Sequence, residues 1–411
     1  MNNTYNDERP LIMHIDLNSC FATVEQQSRP MLRGRPVVVV NRRTEETSIV
    51  TASYEAKALG VTVGMRVKEA KRIIPDLVAL ESDPAKYRFV YHKMMGIMKR
   101  YSAHVTMKSI DEGVIDFHET SDVIRNRDLT DIGREMKQRL RDEVGNAMRC
   151  NVGIATNRFL AKTAAGLHKP DGLDVITHLS LRPTLASLKL TDLTGIARRN
   201  EERLNAVGIY TPLEFLDADV NTLHRMVFKS IVGDQWHQRL RGWEVDDVVH
   251  DLKTVGRQYV LESHDLPRAD IIRRLHHLCE ATGAKLRAQK KAARGVFVYA
   301  KTYDHGYWHA RQMAELPFFS DQAIYAQAAL LFAKVPSGRI KEIGVTCYQL
   351  SDGISDQLSL FGDSIAREQQ ITDAVDLINK RFGERTIHVA DTLTTSPFMR
   401  AKIPFGSTRY L

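Results

Sequence analysis

Two carboxylates stand side by side at Asp111-Glu112, with Val105 upstream and Val114, Ile115 and Phe117 downstream. The β-branched, partly alternating character of this stretch predicts a strand. An apolar strand carries adjacent acids only where they meet solvent or cations, because burying unpaired charge is costly. A second apolar stretch, Met13-His14-Ile15-Asp16-Leu17-Asn18, holds one acid of its own. If the two strands are neighbours, Asp16, Asp111 and Glu112 form a nest of carboxylates. Such an oxygen-only donor set suits Mg²⁺ or Mn²⁺ rather than zinc.

A chain of 411 residues exceeds one typical domain, so two to four are expected. Its four cysteines, Cys20, Cys150, Cys279 and Cys347, are far apart and show no C-x-x-C spacing. That argues against a disulfide framework or a zinc ribbon and suits a reducing compartment. Residues 1–10 are polar, without the apolar core of a signal peptide, and no run is apolar enough to span a membrane. A cytoplasmic protein without membrane partners is therefore expected. The net charge of +8 is unevenly placed: residues 251–350 carry 15 Lys+Arg against 9 Asp+Glu, whereas 176–250 carry 9 against 10. A local basic surplus suits a phosphate-binding module, although a solvated basic face would look the same.

Read in order, Val37-Val38-Val39-Val40 and residues 49–53 are strands, and 54–59 and 67–74 are short helices, closed by Gly60 and Pro75. They form a small module inserted between the Asp16 and Asp111 strands. Helices follow at 85–101 and 129–144, then a strand at 151–155, a helix at 158–167 and a turn at 168–172. Residues 181–244 read as short helices broken by glycine and proline. Residues 253–350 are mixed, with strands at 256–261, 295–302 and 340–348 and helices at 269–290 and 320–333. A loop at 351–355 and a helix at 369–382 complete the pattern.

Four segments in this order carry a specific resemblance. They are residues 16–25, Thr51-Ala52-Ser53-Tyr54-Glu55-Ala56-Lys57, Ser109-Ile110-Asp111-Glu112, and residues 152–162 with His168-Lys169-Pro170-Asp171-Gly172. Together they resemble the Y-family (translesion) DNA polymerases of bacterial type, over residues 11 to about 395. The resemblance implies an α+β multidomain right-hand polymerase. Its palm, with an antiparallel or mixed sheet, would take 10–18 and 83–175, small fingers 19–82 and a helical thumb 176–243. A linker at 244–252 would lead to an α/β little finger at 253–350 and a C-terminal tail at 351–411.

The same resemblance implies template-directed insertion of deoxynucleotides opposite damaged bases, with two Mg²⁺ ions for which Mn²⁺ can substitute. Asp16 and Asp111 would bridge both ions, Glu112 would serve the ion beside the primer terminus, and the Leu17 carbonyl the nucleotide-bound ion. Tyr54, Lys57 and Lys162 match triphosphate-holding positions; lysine at 57 replaces the family's usual arginine and lacks its bidentate fork. Phe21 falls at the steric gate that excludes a 2′-hydroxyl, and Ser48 and Val50 at the roof over the nascent base pair. Gly195 and Ala197 lie in a helix-hairpin-helix-like segment that would meet DNA phosphates, with Ala197 where a second glycine is usual.

Gln357-Leu358-Ser359-Leu360-Phe361 resembles the peptide that binds the bacterial β sliding clamp. Asn18 replaces a second acid and Cys20 a frequent aromatic. The implied partners are primer-template DNA, deoxynucleoside triphosphates and the clamp, and a monomer is expected. No segment reads as a 3′→5′ exonuclease, so proofreading is not expected. A non-catalytic DNA- and clamp-binding accessory of the same fold would most simply lack one of the carboxylates. A metal-dependent nuclease would not need Tyr54, Lys57 or Phe21.

Overall fold

The computed structural model describes residues 4–248, 251–263, 265–304, 306–352, 364–395 and 399, and the chain divides after Val248 into two units. In the first unit the strands are β1 (Ile12–Leu17), β2 (Val37–Val40), β3 (Ile49–Ala52), β4 (Val78–Glu81), β5 (Val105–Met107), β6 (Glu112–Asp116), β7 (Cys150–Ala155) and β8 (Leu173–Val175). They form a sheet in the order β5-β6-β1-β7-β8 and a smaller one in the order β3-β2-β4. β1 lies at the centre of the larger sheet, antiparallel to both β6 and β7, which explains its nearly unbroken burial.

Strand alternation divides the side chains of β1 between two cores. Met13, Ile15 and Leu17 join the cluster formed with helices Cys20–Ser28, Pro84–Met98 and Leu129–Glu143. Ile12 belongs to the opposite cluster, with Val114 and helix Arg158–Leu167. His14 and Asp16 share that second face by their spacing. The helix rests directly on β7, because a Cβ at Gly153 would lie 2.0 Å from the Ala161 carbonyl oxygen and 2.2 Å from the Ala165 nitrogen. The same cluster runs on into the helical segment 178–240, where Phe159 meets Trp236 edge-on at 5.3 Å.

The acid pair sits differently from the sequence reading. It lies at a hairpin: Asp111 occupies the bend after β5, and Glu112 is the first residue of β6. The short edge strand β4 also goes unread in the sequence. It pairs in parallel with β2, but four half-buried residues after Pro75 leave almost no periodic signal. Val50 is left unpaired in β3, since Thr51 opposes Val39 while Ile49 opposes Val40.

The second unit is an antiparallel sheet of β9 (Thr254–Val260), β10 (Lys291–Thr302), β11 (Gly306–Phe318) and β12 (Ile340–Asp352), in the order β11-β10-β12-β9. Helices Arg268–Ala288 and Asp321–Phe332 pack against one face through Val296, Val298, Ile343 and Val345. β11 was missed in the sequence because it is an edge strand whose Tyr307, His309, Arg311 and Met313 are exposed. β12 runs through part of the expected loop, to Asp352, and the C-terminal helix begins at Ser364 rather than near 369. Among the described residues no helix is long and apolar enough to cross a membrane.

Gly153→Ala should destabilise the protein by about 1–3 kcal/mol, because the added methyl meets helix backbone that cannot rotate away. Urea unfolding of the two proteins checks this; equal midpoints would refute the close helix-strand contact.

Candidate active site

Pairing register brings the acids together. Asp16 opposes Glu112 on one side of β1 and Asn151 on the other. The Leu17 amide donates to the Asp111 carbonyl at 2.8 Å, so the hairpin bend is fastened to the end of β1. Asp16, Asp111 and Glu112 therefore come from two adjacent strand ends, as the sequence suggested. Directly beyond, Ser19 adopts a left-handed conformation (φ 44°) and turns the chain into helix Cys20–Ser28.

Each acid has its own electrostatic setting. Glu112 Oε2 accepts from Lys162 Nζ at 2.7 Å and lies 3.3 Å from His14 Nε2. Burial acts to raise the Glu112 carboxyl, but the bonds and charges of His14 and Lys162 together outweigh it and hold the group at about 2. Asp111 goes the other way. Burial, then the charges of Asp16 and Glu112, lift its carboxyl above the ordinary range against a hydrogen bond from the Ser109 hydroxyl. Asp16 is paired with Lys169. Cys20, buried near Asp111 and Asp16, has its thiol pushed far up by burial and those charges, in keeping with a packed core residue.

Lys169 and His14 are residues that the sequence reading did not assign. Lys169 lies in the turn at 168–172, and its charge acts on both Tyr54 and Lys57. Lys57 donates to Ser19 Oγ at 2.8 Å and lies 4.8 Å from the Tyr54 ring centroid. Burial is the main influence on both groups, lowering the Lys57 ammonium and raising the Tyr54 phenol. Lys162 is placed at Glu112, whereas Lys169 joins Tyr54 and Lys57. The only sequence signal for Lys169 was its place in the Lys169-Pro170-Asp171-Gly172 turn. His14 is buried inside β1, and its histidine identity among apolar neighbours was the clue.

Phe21 is 2% exposed and stacks on Tyr87 at 4.4 Å between centroids. The Tyr87 hydroxyl donates to Glu25 Oε1 at 2.9 Å, and Lys86 reaches Glu25 Oε2 at 3.1 Å. Ser48 is exposed and bridges to Arg66, while Val50 is half-buried at the bulge of β3. Gly195, at φ 101°, forms the turn before helix Arg198–Asn205, and Ala197 is that helix's N-cap. The Gly195 carbonyl accepts from Asn200 Nδ2 at 2.9 Å. Gln357, Leu358, Leu360 and Phe361 lie outside the described residues.

Among the described residues no three His, Cys, Asp or Glu side chains are spaced to share one metal ion. Ammonium groups lie on Asp16 and Glu112, and the Ser109 hydroxyl on Asp111. The donor set nevertheless fits a hard divalent cation, being all carboxylate, with Asp111 raised by burial and then by the charges of its two neighbours. Asp16, Asp111 and Glu112 are the residues that would hold such an ion.

Residues 15–166 match the impB/mucB/samB family, and 253–360 match that family's C-terminal domain. DNA polymerase IV of Moorella thermoacetica is 33% identical over 393 residues, which are 93% of this chain and 96% of that protein. DNA polymerase IV 1 of Bacillus subtilis is 29% identical over 392 residues, 93% of each. A solved Y-family DNA polymerase chimera is similar in fold, with a TM-score of 0.69 over 83% of this chain and 99% of its own, at 22% identity.

The opposite shifts of the two neighbouring acids give opposite stability effects. A carboxyl raised by folding subtracts stability at neutral pH and returns it as pH falls through the raised value. One lowered by folding adds stability above its ordinary value of 4.5, lost as pH falls towards about 2. In EDTA at pH 7, Asp111→Asn should melt above the parent protein and Glu112→Gln below it, with both differences shrinking in acid. Circular dichroism melts decide this; Asp111→Asn melting below the parent at pH 7 would contradict it.

Proposed function

The chain belongs to the impB/mucB/samB family of Y-family DNA polymerases and is a DNA-directed DNA polymerase of the translesion class, and we propose that its reaction is metal-assisted nucleotidyl transfer at Asp16, Asp111 and Glu112. The observation that carries this reading is the β1–β6 register, which opposes Asp16 to Glu112 and fastens the Asp111 bend to Leu17. Two Mg²⁺ ions, or Mn²⁺ in their place, would supply charge that acidifies the primer hydroxyl and offsets the triphosphate. The three carboxylates and the Leu17 carbonyl would hold them.

The lysines divide the remaining work. Tyr54, Lys57 and Lys169 face the triphosphate, where a phenol hydroxyl and two ammonium groups match phosphate oxygens. Lys162 belongs with Glu112 on the primer side. Lys169 and Lys162 pair with Asp16 and Glu112. They turn to substrate oxygens when those acids are otherwise engaged. Phe21 forms the floor beneath the sugar. Its stacking on Tyr87, itself tied to Glu25, keeps the ring from yielding to a 2′-hydroxyl.

The sheet of β1 and β5–β8 is assigned as palm, that of β2–β4 as fingers, the helices at 178–240 as thumb and the second unit as little finger. Ser48 and Val50 roof the base pair with small side chains. Gly195 and Ala197 present backbone amides to DNA phosphates. The Gln357-Leu358-Ser359-Leu360-Phe361 peptide recruits a sliding clamp, its leucines and phenylalanine filling an apolar pocket.

Asp111→Asn and Glu112→Gln should each cut primer extension by roughly 10²–10³-fold or more while leaving primer-template affinity nearly unchanged. Gel-based extension and fluorescence anisotropy measure the two quantities, and near-normal extension by either variant would end the carboxylate assignment. For Phe21→Ala, incorporation of ribonucleotides relative to deoxynucleotides should rise by orders of magnitude. A single-nucleotide insertion assay reads that ratio, and unchanged discrimination would return Phe21 to a packing role.

A further inference from the structure

We infer that Asn18 is a positioning residue for the incoming nucleotide, acting through Asn151 and the turn at 168–172 to place Lys169. The inference rests on the reading of Lys169 as a triphosphate contact. Asn18 and Asn151 are buried, at 2% and 0% exposure, so their amides depend on protein partners. Asn18 Nδ2 donates to Asn151 Oδ1 at 2.8 Å, and Asn18 Oδ1 accepts from the Asp171 amide at 2.8 Å. Asn151 Nδ2 in turn donates to the His168 carbonyl at 3.0 Å. The relay thus starts two residues beyond Asp16 and grips the turn on both sides of Lys169. Lys169 closes the circuit by returning its ammonium to Asp16.

The turn has little freedom to settle elsewhere. Asp171 is left-handed, at φ 61°, and its carboxylate draws Lys137, Arg141 and Arg149 at 3.1, 3.4 and 3.6 Å. At Gly172 a Cβ would lie 2.2 Å from the His168 carbonyl oxygen. Amide chemistry at position 18 is needed because it must donate and accept at once. A carboxylate there could still accept from the Asp171 amide, but it would set an oxygen against Asn151 Oδ1. Asn151 cannot reverse, since its own nitrogen is committed to His168. Loosening this relay would leave the acids in place and let Lys169 wander, which affects nucleotide capture more than the chemical step.

The test is a double-mutant cycle on the full-length protein with primer-template DNA. Single-nucleotide insertion gives KM and kcat, nucleotide binding to a dideoxy-terminated primer complex gives affinity without chemistry, and a thermal melt reports folding. Asn18→Ala should raise KM and weaken binding about tenfold with kcat within about threefold. Lys169→Ala should do at least as much, and the double variant should be within about twofold of Lys169→Ala alone. Asn18→Asp, nearly isosteric, should shift KM in the same direction and serves if the alanine variant fails to fold. Multiplying effects in the double variant, or a normal KM for the Asn18 variant beside a raised one for Lys169→Ala, would overturn the positioning role alone. A normal KM for Lys169→Ala would remove the triphosphate reading itself, and the inference with it.

Discussion

Like-charge repulsion at one strand end is the constraint around which the first unit is arranged. Asp16, Asp111 and Glu112 cannot approach one another in a folded protein without compensating charge. The structure answers with backbone fastening and with cations. The Leu17 amide holds the Asp111 bend against β1, Lys162 and His14 take up Glu112, and Lys169 takes up Asp16. Burial, and after it the charges of Asp16 and Glu112, leaves the Asp111 carboxyl raised. Concentrating charge in this way costs stability, a cost that active sites commonly carry.

Much of this could be read before any coordinates. The β-branched runs at Val37-Val38-Val39-Val40 and around Asp16 gave strands because central strands bury both faces. Long helices such as Pro84–Met98 and Arg268–Ala288 lie within a few residues of where periodicity put them. The misses are edge elements. β4, β8 and β11 are short or exposed, so pairing rather than side-chain pattern defines them. Asp111 was read into a strand because its apolar neighbours dominate the local pattern, whereas a hairpin bend depends on where pairing stops.

The site was legible in its acids and less so in its bases. Carboxylates in an apolar frame announce themselves, because few structural roles need them. A lysine in a turn does not, and nothing local to Lys169 says that a chain segment over a hundred residues away will receive its ammonium. Asn18 and Asn151 are quieter still. Neutral amides look incidental until their partners are known, and those partners, each other and the backbone of the turn at 168–172, are not shown by sequence pattern. Family likeness singled out Lys162 as a triphosphate contact, but its bond to Glu112 depends on the packing of helix Arg158–Leu167 across β7, which sequence pattern does not show.

That packing has a further consequence. Because the helix touches β7 backbone to backbone at Gly153, no layer of side chains lies between the two elements there to be compressed or refilled. The height of Lys162 above the acids is set by main-chain geometry, which sequence drift alters far less than it alters side-chain volume. The proposed roof over the base pair has no such fixture: Ser48 is exposed and Val50 sits on a bulge. One end of the site is thus fixed by contact between backbones, and the other is not. On the proposed reading, side-chain changes at the roof would alter which template base is accepted while leaving the acids where they are.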